Sequence, residues 1–176
     1  MSGPSGSGKS YYTRNYVLKY KRIFPKKSVY IFSSLDSDET LDKIKDIKRI
    51  KFNEDFLMFD FKVTDFTNSL VIFDDIDACT NRHLKTKIYK ILEMLLNTGR
   101  HERVSIIYTS HLCSKGNETK LILSECGSIT LFPKMLSKRS LEYLLENYFG
   151  MDKKSIKQLK NWLVDQLQFV KHIQWL

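Results

Sequence analysis

Residues Gly3-Pro4-Ser5-Gly6-Ser7-Gly8-Lys9-Ser10 spell G-x-x-x-x-G-K-[ST], and this spacing constrains the fold more than any other feature of the chain. Such a loop turns successive backbone N–H groups into one concavity. It lets Lys9 reach the outer phosphates of a nucleotide and offers the Ser10 hydroxyl to Mg²⁺. Gly3, Pro4, Ser5, Gly6, Ser7, Gly8, Lys9, Ser10 and the following Tyr11 are therefore the candidate nucleotide-binding residues. The geometry works between a buried strand and a helix, so the motif dictates an α/β arrangement around it. Only Met1 and Ser2 precede Gly3. The expectation is that the entering strand is missing, either because the chain is a fragment or because its start lies inside a larger gene product.

With 176 residues, 42% of them hydrophobic and 28% charged, the chain has the size and composition of one compact globular domain. No apolar run approaches the roughly 18 to 20 residues that cross a bilayer, and no secretory leader is present, so no membrane insertion and a soluble, intracellular protein are expected. Cys79, Cys113 and Cys126 have neither C-x-x-C nor metal-finger spacing and read as reduced, structural thiols. The 29 Lys and Arg against 20 Asp and Glu leave a charge of +9. Residues 1–30 contain Lys9, Arg14, Lys19, Lys21, Arg22, Lys26 and Lys27 and no acid, a field that attracts nucleotides or a nucleic-acid backbone, or is simply a solvated helix face.

Apolar periodicity supplies the element order. Tyr12, Tyr16, Val17, Tyr20 and Ile23 recur at helical spacing and predict a helix over 9–22, with its positive N-terminal end at the phosphate loop. Ser28–Phe32 reads as a buried strand, Asp36 as the capped start of a short helix through Leu41, Ile44 and Ile47, and 50–66 as a peripheral strand or irregular segment. Leu70–Phe73 is a strand covered on both faces. Leu84, Ile88, Ile91, Leu92 and Leu95 mark a long helix ended by Asn97-Thr98-Gly99, and Val104–Tyr108 is a further strand. Ser128–Phe132, closed by Pro133, is the fourth strand, followed by helices around Leu141–Tyr148 and Ile156–Leu167. Strands alternating with helices imply a three-layer α/β domain with a mostly parallel sheet.

Three further patterns carry chemistry. Leu70-Val71-Ile72-Phe73 runs into Asp74-Asp75, which puts two acids at the C-terminal end of a buried strand, where α/β sheets bind ligands. Asp74 then serves Mg²⁺ through its water shell, and Asp75 polarises the water that attacks the γ-phosphoryl group. The bland alternative is that Asp75 or Asp77 merely caps the next helix. Thr109-Ser110-His111 ends the next strand and offers a polar group to the γ-phosphate, or is an ordinary surface turn. Arg100, in Thr98-Gly99-Arg100-His101, is either an arginine finger reaching a neighbouring subunit or a complement to its helix dipole.

With these residues in place, the chain resembles the genome-packaging ATPases of large double-stranded DNA viruses, the poxvirus-type branch of the FtsK–HerA superfamily. The resemblance rests on the Gly3–Lys9 loop, the strand ending in Asp74-Asp75, and Thr98–Ser110 with its Ile106-Ile107-Tyr108 strand. It covers about residues 3–132, with helices 137–170 in fitting positions. It implies a RecA-like, ASCE-type P-loop NTPase domain that hydrolyses ATP with Mg²⁺, forms a homo-oligomeric ring and drives double-stranded DNA into a capsid. It further implies capsid proteins as partners and a place in the host-cell cytoplasm or the virion. Carried over, Gly3, Gly8, Lys9 and Ser10 bind nucleotide and Mg²⁺, Asp74 serves the metal, and Asp75 activates water; beside Asp75, the catalytic candidates read from the residues themselves are Lys9 and Arg100. Many relatives end the later strand in Gln, so the γ-phosphate sensor here is Ser110 or His111. Two other readings stand beside it: a guanylate-kinase-like small-molecule phosphotransferase, whose loop is of the same style, and a catalytically silent DNA-binding or ring subunit.

Overall fold

A computed structural model describes residues 1–35, 37–112, 117–132, 137–165 and 171–174. The chain folds as two compact units, one of Gly8–Ser110 and the other of Met1–Ser7 with His111–Leu176.

The Gly8–Ser110 unit is built on a parallel sheet. Its elements are α1 (Lys9–Ile23), β1 (Val29–Ser33), β2 (Ile47–Ile50), α2 (Glu54–Met58), a 3-10 turn at Val63–Phe66, β3 (Leu70–Asp74), a second 3-10 turn at Ile76–Ala78, α3 (Arg82–Thr98) and β4 (Ser105–Tyr108). Strands are ordered β2-β1-β3-β4, with Phe32 beside Phe73 and Phe73 beside Tyr108. All five residues of β3 are buried, so both faces of the sheet are covered at its centre. This is the α/β fold with a four-stranded parallel sheet that the alternation of elements implies.

The helix expected from Asp36 through Ile47 does not form. Asp36 lies outside the described residues. Beyond it, the Asp38 carboxylate accepts from the N–H groups of Thr40 at 2.7 Å and Leu41 at 2.8 Å, a side-chain turn that competes with helix. Arg49 donates to the Asp42 carboxylate and to the Leu35 carbonyl, and Asp46 adopts a φ of +62°. Ile47 instead opens β2, which pairs with β1. The 50–66 segment is an aromatic plug. Phe56, Phe61 and Phe66 pack their rings on Phe32, which stacks on Phe73 with centroids 4.9 Å apart. The α1 stripe is also rotated from the expected one: Lys9, Thr13, Val17 and Tyr20 are buried, whereas Tyr16 and Ile23 are exposed.

In the other unit, β5 (Ser128–Leu131) is not a fourth member of that sheet. It pairs antiparallel with β6 (Lys171–Gln174), and Leu131 forms a single parallel bridge with Ser2. The Ser2 N–H donates to the Thr130 carbonyl at 3.0 Å, and the Phe132 N–H donates to Ser2 O at 3.3 Å. The residues leading into the phosphate loop thus contribute one bridge and no full strand. A helix absent from the sequence reading, α4 (Asn117–Glu125), precedes β5, and α5 (Lys138–Asn147) and α6 (Lys153–Asp165) follow it. Ile129, Leu131, Leu141, Leu144, Leu145 and Ile156 form the core of this unit. Cys113, Pro133 and Leu167, named above, lie outside the described residues. Among the described residues, no helix is long and apolar enough to cross a membrane.

Candidate active site

The phosphate loop takes the backbone path its glycines permit. Gly8 has φ +95° and Gly6 φ +74°, in the left-handed region that other residues avoid. Gly3 is required for a different reason: a Cβ there would lie 2.7 Å from Ser7 Oγ and 3.1 Å from the Phe132 side chain. The Ser7 N–H donates to Pro4 O at 3.2 Å, which closes the turn, and the buried Ser7 hydroxyl has no hydrogen-bond partner among the described residues.

Helix α1 starts at Lys9 with Gly8 as its cap, no side-chain cap and no acid in the first turn. Its first N–H groups, those of Ser10 and Tyr11 included, keep the positive end of the helix available to an anion. Lys9 is buried at 5% exposure, and its Nζ lies 3.6 Å from Asp75 Oδ2. The Tyr11 ring is exposed.

Both acids stand at the C-terminal end of β3, where parallel register delivers them beside the end of β4. Asp74 closes the strand at 2% exposure. Asp75 follows with φ +46°, a conformation that re-aims its carboxylate relative to the pleat. Thr109, next after β4, ties the pair together. Its hydroxyl donates to Asp74 Oδ1 at 2.8 Å and accepts from the Asp75 N–H at 3.0 Å, while its own N–H donates to Phe73 O at 2.9 Å. Burial raises the Asp74 carboxyl above the ordinary carboxylate range, the Asp75 and Asp38 charges push the same way, and the Thr109 hydrogen bond and the Lys9 charge oppose them.

Asp75 occupies the N-cap position of the 3-10 turn at Ile76–Ala78, but its side chain makes no capping hydrogen bond there. Asp75 and Asp77 do not cap α3; Asn81 does, its side chain accepting from His83 N at 3.0 Å and Leu84 N at 3.2 Å. Neither acid's side chain therefore supplies a helix-capping hydrogen bond. A buried carboxylate made costly by burial, beside a second carboxylate, fits a divalent cation. Among the described residues no three His, Cys, Asp or Glu side chains cluster around a point. Mg²⁺ at phosphates needs only one or two protein ligands, so Asp74 with the Ser10 hydroxyl is a sufficient protein contribution.

Thr109 is the residue the sequence reading did not assign; it saw only a polar strand tip. Its signal was positional, since the first polar residue after a strand that neighbours the acid-bearing strand falls beside the acids. Ser110 is buried, and His111 begins the stretch of chain belonging to the other unit. Arg100 is exposed on the tight turn between α3 and β4. That turn is held by Val104 N donating to Gly99 O at 2.9 Å and Asn68 N donating to Glu102 O at 2.8 Å. It precedes β4, so Arg100 lies toward the end of the sheet opposite Asp74, and the four residues of β4 alone separate those ends by about 13 Å. Within its own chain it does not meet the acids.

One experiment separates the two roles of this cluster. Asp74 has a folded-state pKa above its unfolded value, so the folded form holds more protons between the two. Its contribution to stability therefore falls as pH rises through that window and stays low above it. Asp74→Asn, which keeps an oxygen for Thr109, should raise the melting temperature at pH 7 and flatten its decline from acid pH. Thr109→Val should lower stability by about 1–3 kcal/mol, because the Asp75 N–H loses its acceptor and Asp74 its donor. Thermal melts of both variants across pH check the pair; a destabilised Asp74→Asn would refute the assignment.

No family model matches the sequence. A relative from Sputnik virophage, the uncharacterized protein V3, is 40% identical over 159 residues, and the chain spans 63% of that relative's length while the match takes in 89% of the chain. Solved structures share the fold at low identity. The genome packaging NTPase B204 from Sulfolobus turreted icosahedral virus 2, in complex with ATP-gammaS, superposes with a TM-score of 0.55 at 13% identity, over 90% of this chain and 84% of that one. The crystal structure of B204 described as the DNA-packaging ATPase from Sulfolobus turreted icosahedral virus gives 0.53 at 13%, over 91% and 84%. The chain is similar in fold to these packaging NTPases.

Proposed function

We propose that this protein is an ATP-hydrolysing motor that moves double-stranded DNA into a viral capsid during assembly, working as a homo-oligomeric ring in the host-cell cytoplasm. The observation that carries the reading is the meeting of Lys9, Asp75, Asp74 and Thr109: a buried cation from the phosphate loop beside two acids at the end of β3. The shared fold with a DNA-packaging ATPase and the virophage relative support it.

The chain's own residues divide the chemistry. Loop N–H groups and the α1 N-terminus hold the phosphates of ATP, and Lys9 moves from its Asp75 contact to the outer phosphates, where it offsets charge as the γ-phosphoryl group leaves. Asp75, released from Lys9, orients water in line and accepts its proton. Asp74 and Ser10 would hold the cation, with Thr109 fixing the carboxylate's rotamer. Bound there, Mg²⁺ would neutralise the charge of the β- and γ-phosphate oxygens. Arg100, remote from the acids of its own chain, serves a neighbouring subunit's nucleotide, which couples hydrolysis to assembly.

Phosphate release by the protein, measured with and without duplex DNA, tests the reading. We expect ATP turnover that rises several-fold with duplex. No turnover in any condition would favour the silent DNA-binding subunit, and phosphate transfer to a nucleoside monophosphate in a coupled assay would favour the kinase.

A further inference from the structure

A second basic surface of the Gly8–Ser110 unit is on α3, separate in sequence from the N-terminal third that composition singles out. From Ala78 to Leu92 the chain carries Arg82, Lys85, Lys87 and Lys90, with His83, and no acid. Arg82, His83, Thr86, Lys87 and Lys90, with Leu57 of α2, line an open groove of about 580 Å³. Cations at the start of a helix oppose its dipole, and the like charges three residues apart, Arg82 with Lys85 and Lys87 with Lys90, are neighbours on the helix surface and repel. Neither benefits the fold, and the first turn of α3 has no acid to offset them.

The N-terminal cations spend part of their charge internally. Lys9 is buried against Asp75, Lys21 meets Asp46 at 3.6 Å and donates to Lys45 O, and Lys27 sits over the Phe24 ring. Lys87 is likewise occupied, donating to the carbonyls of Leu57 and Phe59, which anchors α2 beside the groove. Arg82, His83 and Lys90 make no ion pair with any described residue, and Arg82 and Lys90 are exposed. Arg82, Thr86 and Lys90 lie on one face, spanning about 12 Å of helix. That length matches three to four phosphates of one DNA strand, spaced about 3.4 Å along the duplex axis.

We infer that the α3 groove is the surface that grips the phosphodiester backbone of duplex DNA, with Arg82 and Lys90 as the phosphate contacts. The inference deepens the motor reading and rests on it for the identity of the polyanion. Asp75 is joined to Asn81, the α3 cap, by five residues, so the groove is one short segment from the hydrolytic acids.

The test is anisotropy of a labelled duplex of about 30 base pairs with the full chain, over about 50 to 200 mM salt. The double variant Arg82→Gln/Lys90→Gln should bind about tenfold more weakly at the middle of that range, with the slope of log K against log salt reduced by about 2. Arg82→Glu should weaken binding further while leaving the melting temperature unchanged or higher, since an acid suits that helix end. Unchanged affinity and slope in the double variant overturn the inference, as does a parent chain that binds no duplex. Tighter binding of polyglutamate than of duplex at this face would make the occupant an acidic protein and overturn it too. A chain that hydrolyses ATP but binds DNA independently of α3 defeats this inference alone; one that binds through α3 without hydrolysis defeats the motor reading alone.

Discussion

Lys9→Ala should reduce ATP turnover by about 10²–10³-fold, the usual cost of removing one preorganised charge from a phosphoryl-transfer site. Lys9 is at 5% exposure, so solvent cannot substitute for the lost ammonium, and its Nζ lies beside the Asp75 carboxylate. The charge that is missing in the variant is the one that would meet the outer phosphates. Asp75→Asn is the informative companion. It should lose turnover on the same scale while retaining nucleotide, because an amide removes the proton acceptor and also frees Lys9 from its ion pair. Phosphate release together with fluorescent-nucleotide binding reads both variants. Turnover in Lys9→Ala equal to that of the parent would remove the hydrolytic assignment of the loop.

The largest effect on stability is expected from Phe32→Ala, which should cost about 3–5 kcal/mol in the unfolding of the Gly8–Ser110 unit. Phe32 is fully buried at the end of β1, stacks on Phe73 of β3 with an interplanar angle of 6°, and takes the rings of Phe56, Phe61 and Phe66 against its other sides. Those contacts come from four separate segments, so no single side chain can collapse into the space left behind. A loss of that size is a large fraction of the whole stability of an ordinary domain. Phe32→Leu, which keeps most of the volume, should lose much less. Urea titration followed by tryptophan-independent circular dichroism measures both, and a loss below about 1 kcal/mol for the alanine variant would show that the plug does not pack as described.

Much of the site was legible because its parts are contiguous in sequence. Gly8, Lys9 and Ser10 are marked as candidates by spacing alone, and Asp74-Asp75 at the end of four apolar residues declares the strand and its carboxyl end together. Helices α1, α3, α5 and α6 and strands β1, β3 and β4 were readable because each has a long run of one period or an unbroken apolar stretch. Where local chemistry competes with periodicity, the reading failed. Leu41, Ile44 and Ile47 suggest a helix, yet Asp38, Asp42 and Arg49 bond the segment into turns and Ile47 finds β1. The phenylalanines of 50–66 have no regular period because they converge from short elements onto Phe32.

The sequence by itself determined the chemistry on offer: a phosphate loop running into a helix, two acids at a strand end, and an alternation of strands and helices that allows a parallel sheet. These are properties of neighbours along the chain, set by backbone conformation and side-chain type within a few residues. Tertiary structure alone decided that Lys9 meets Asp75, that Thr109 holds Asp74 from 35 residues away, that Arg100 stands at the far end of the sheet from the acids, and that α3 gathers cations around a groove. Those facts depend on strand register and on which buried surfaces close on one another. In this parallel sheet the central strand is buried on both faces and no tight hairpin joins the strands, so neither alternation nor a turn marks the register and packing across the sheet chooses it.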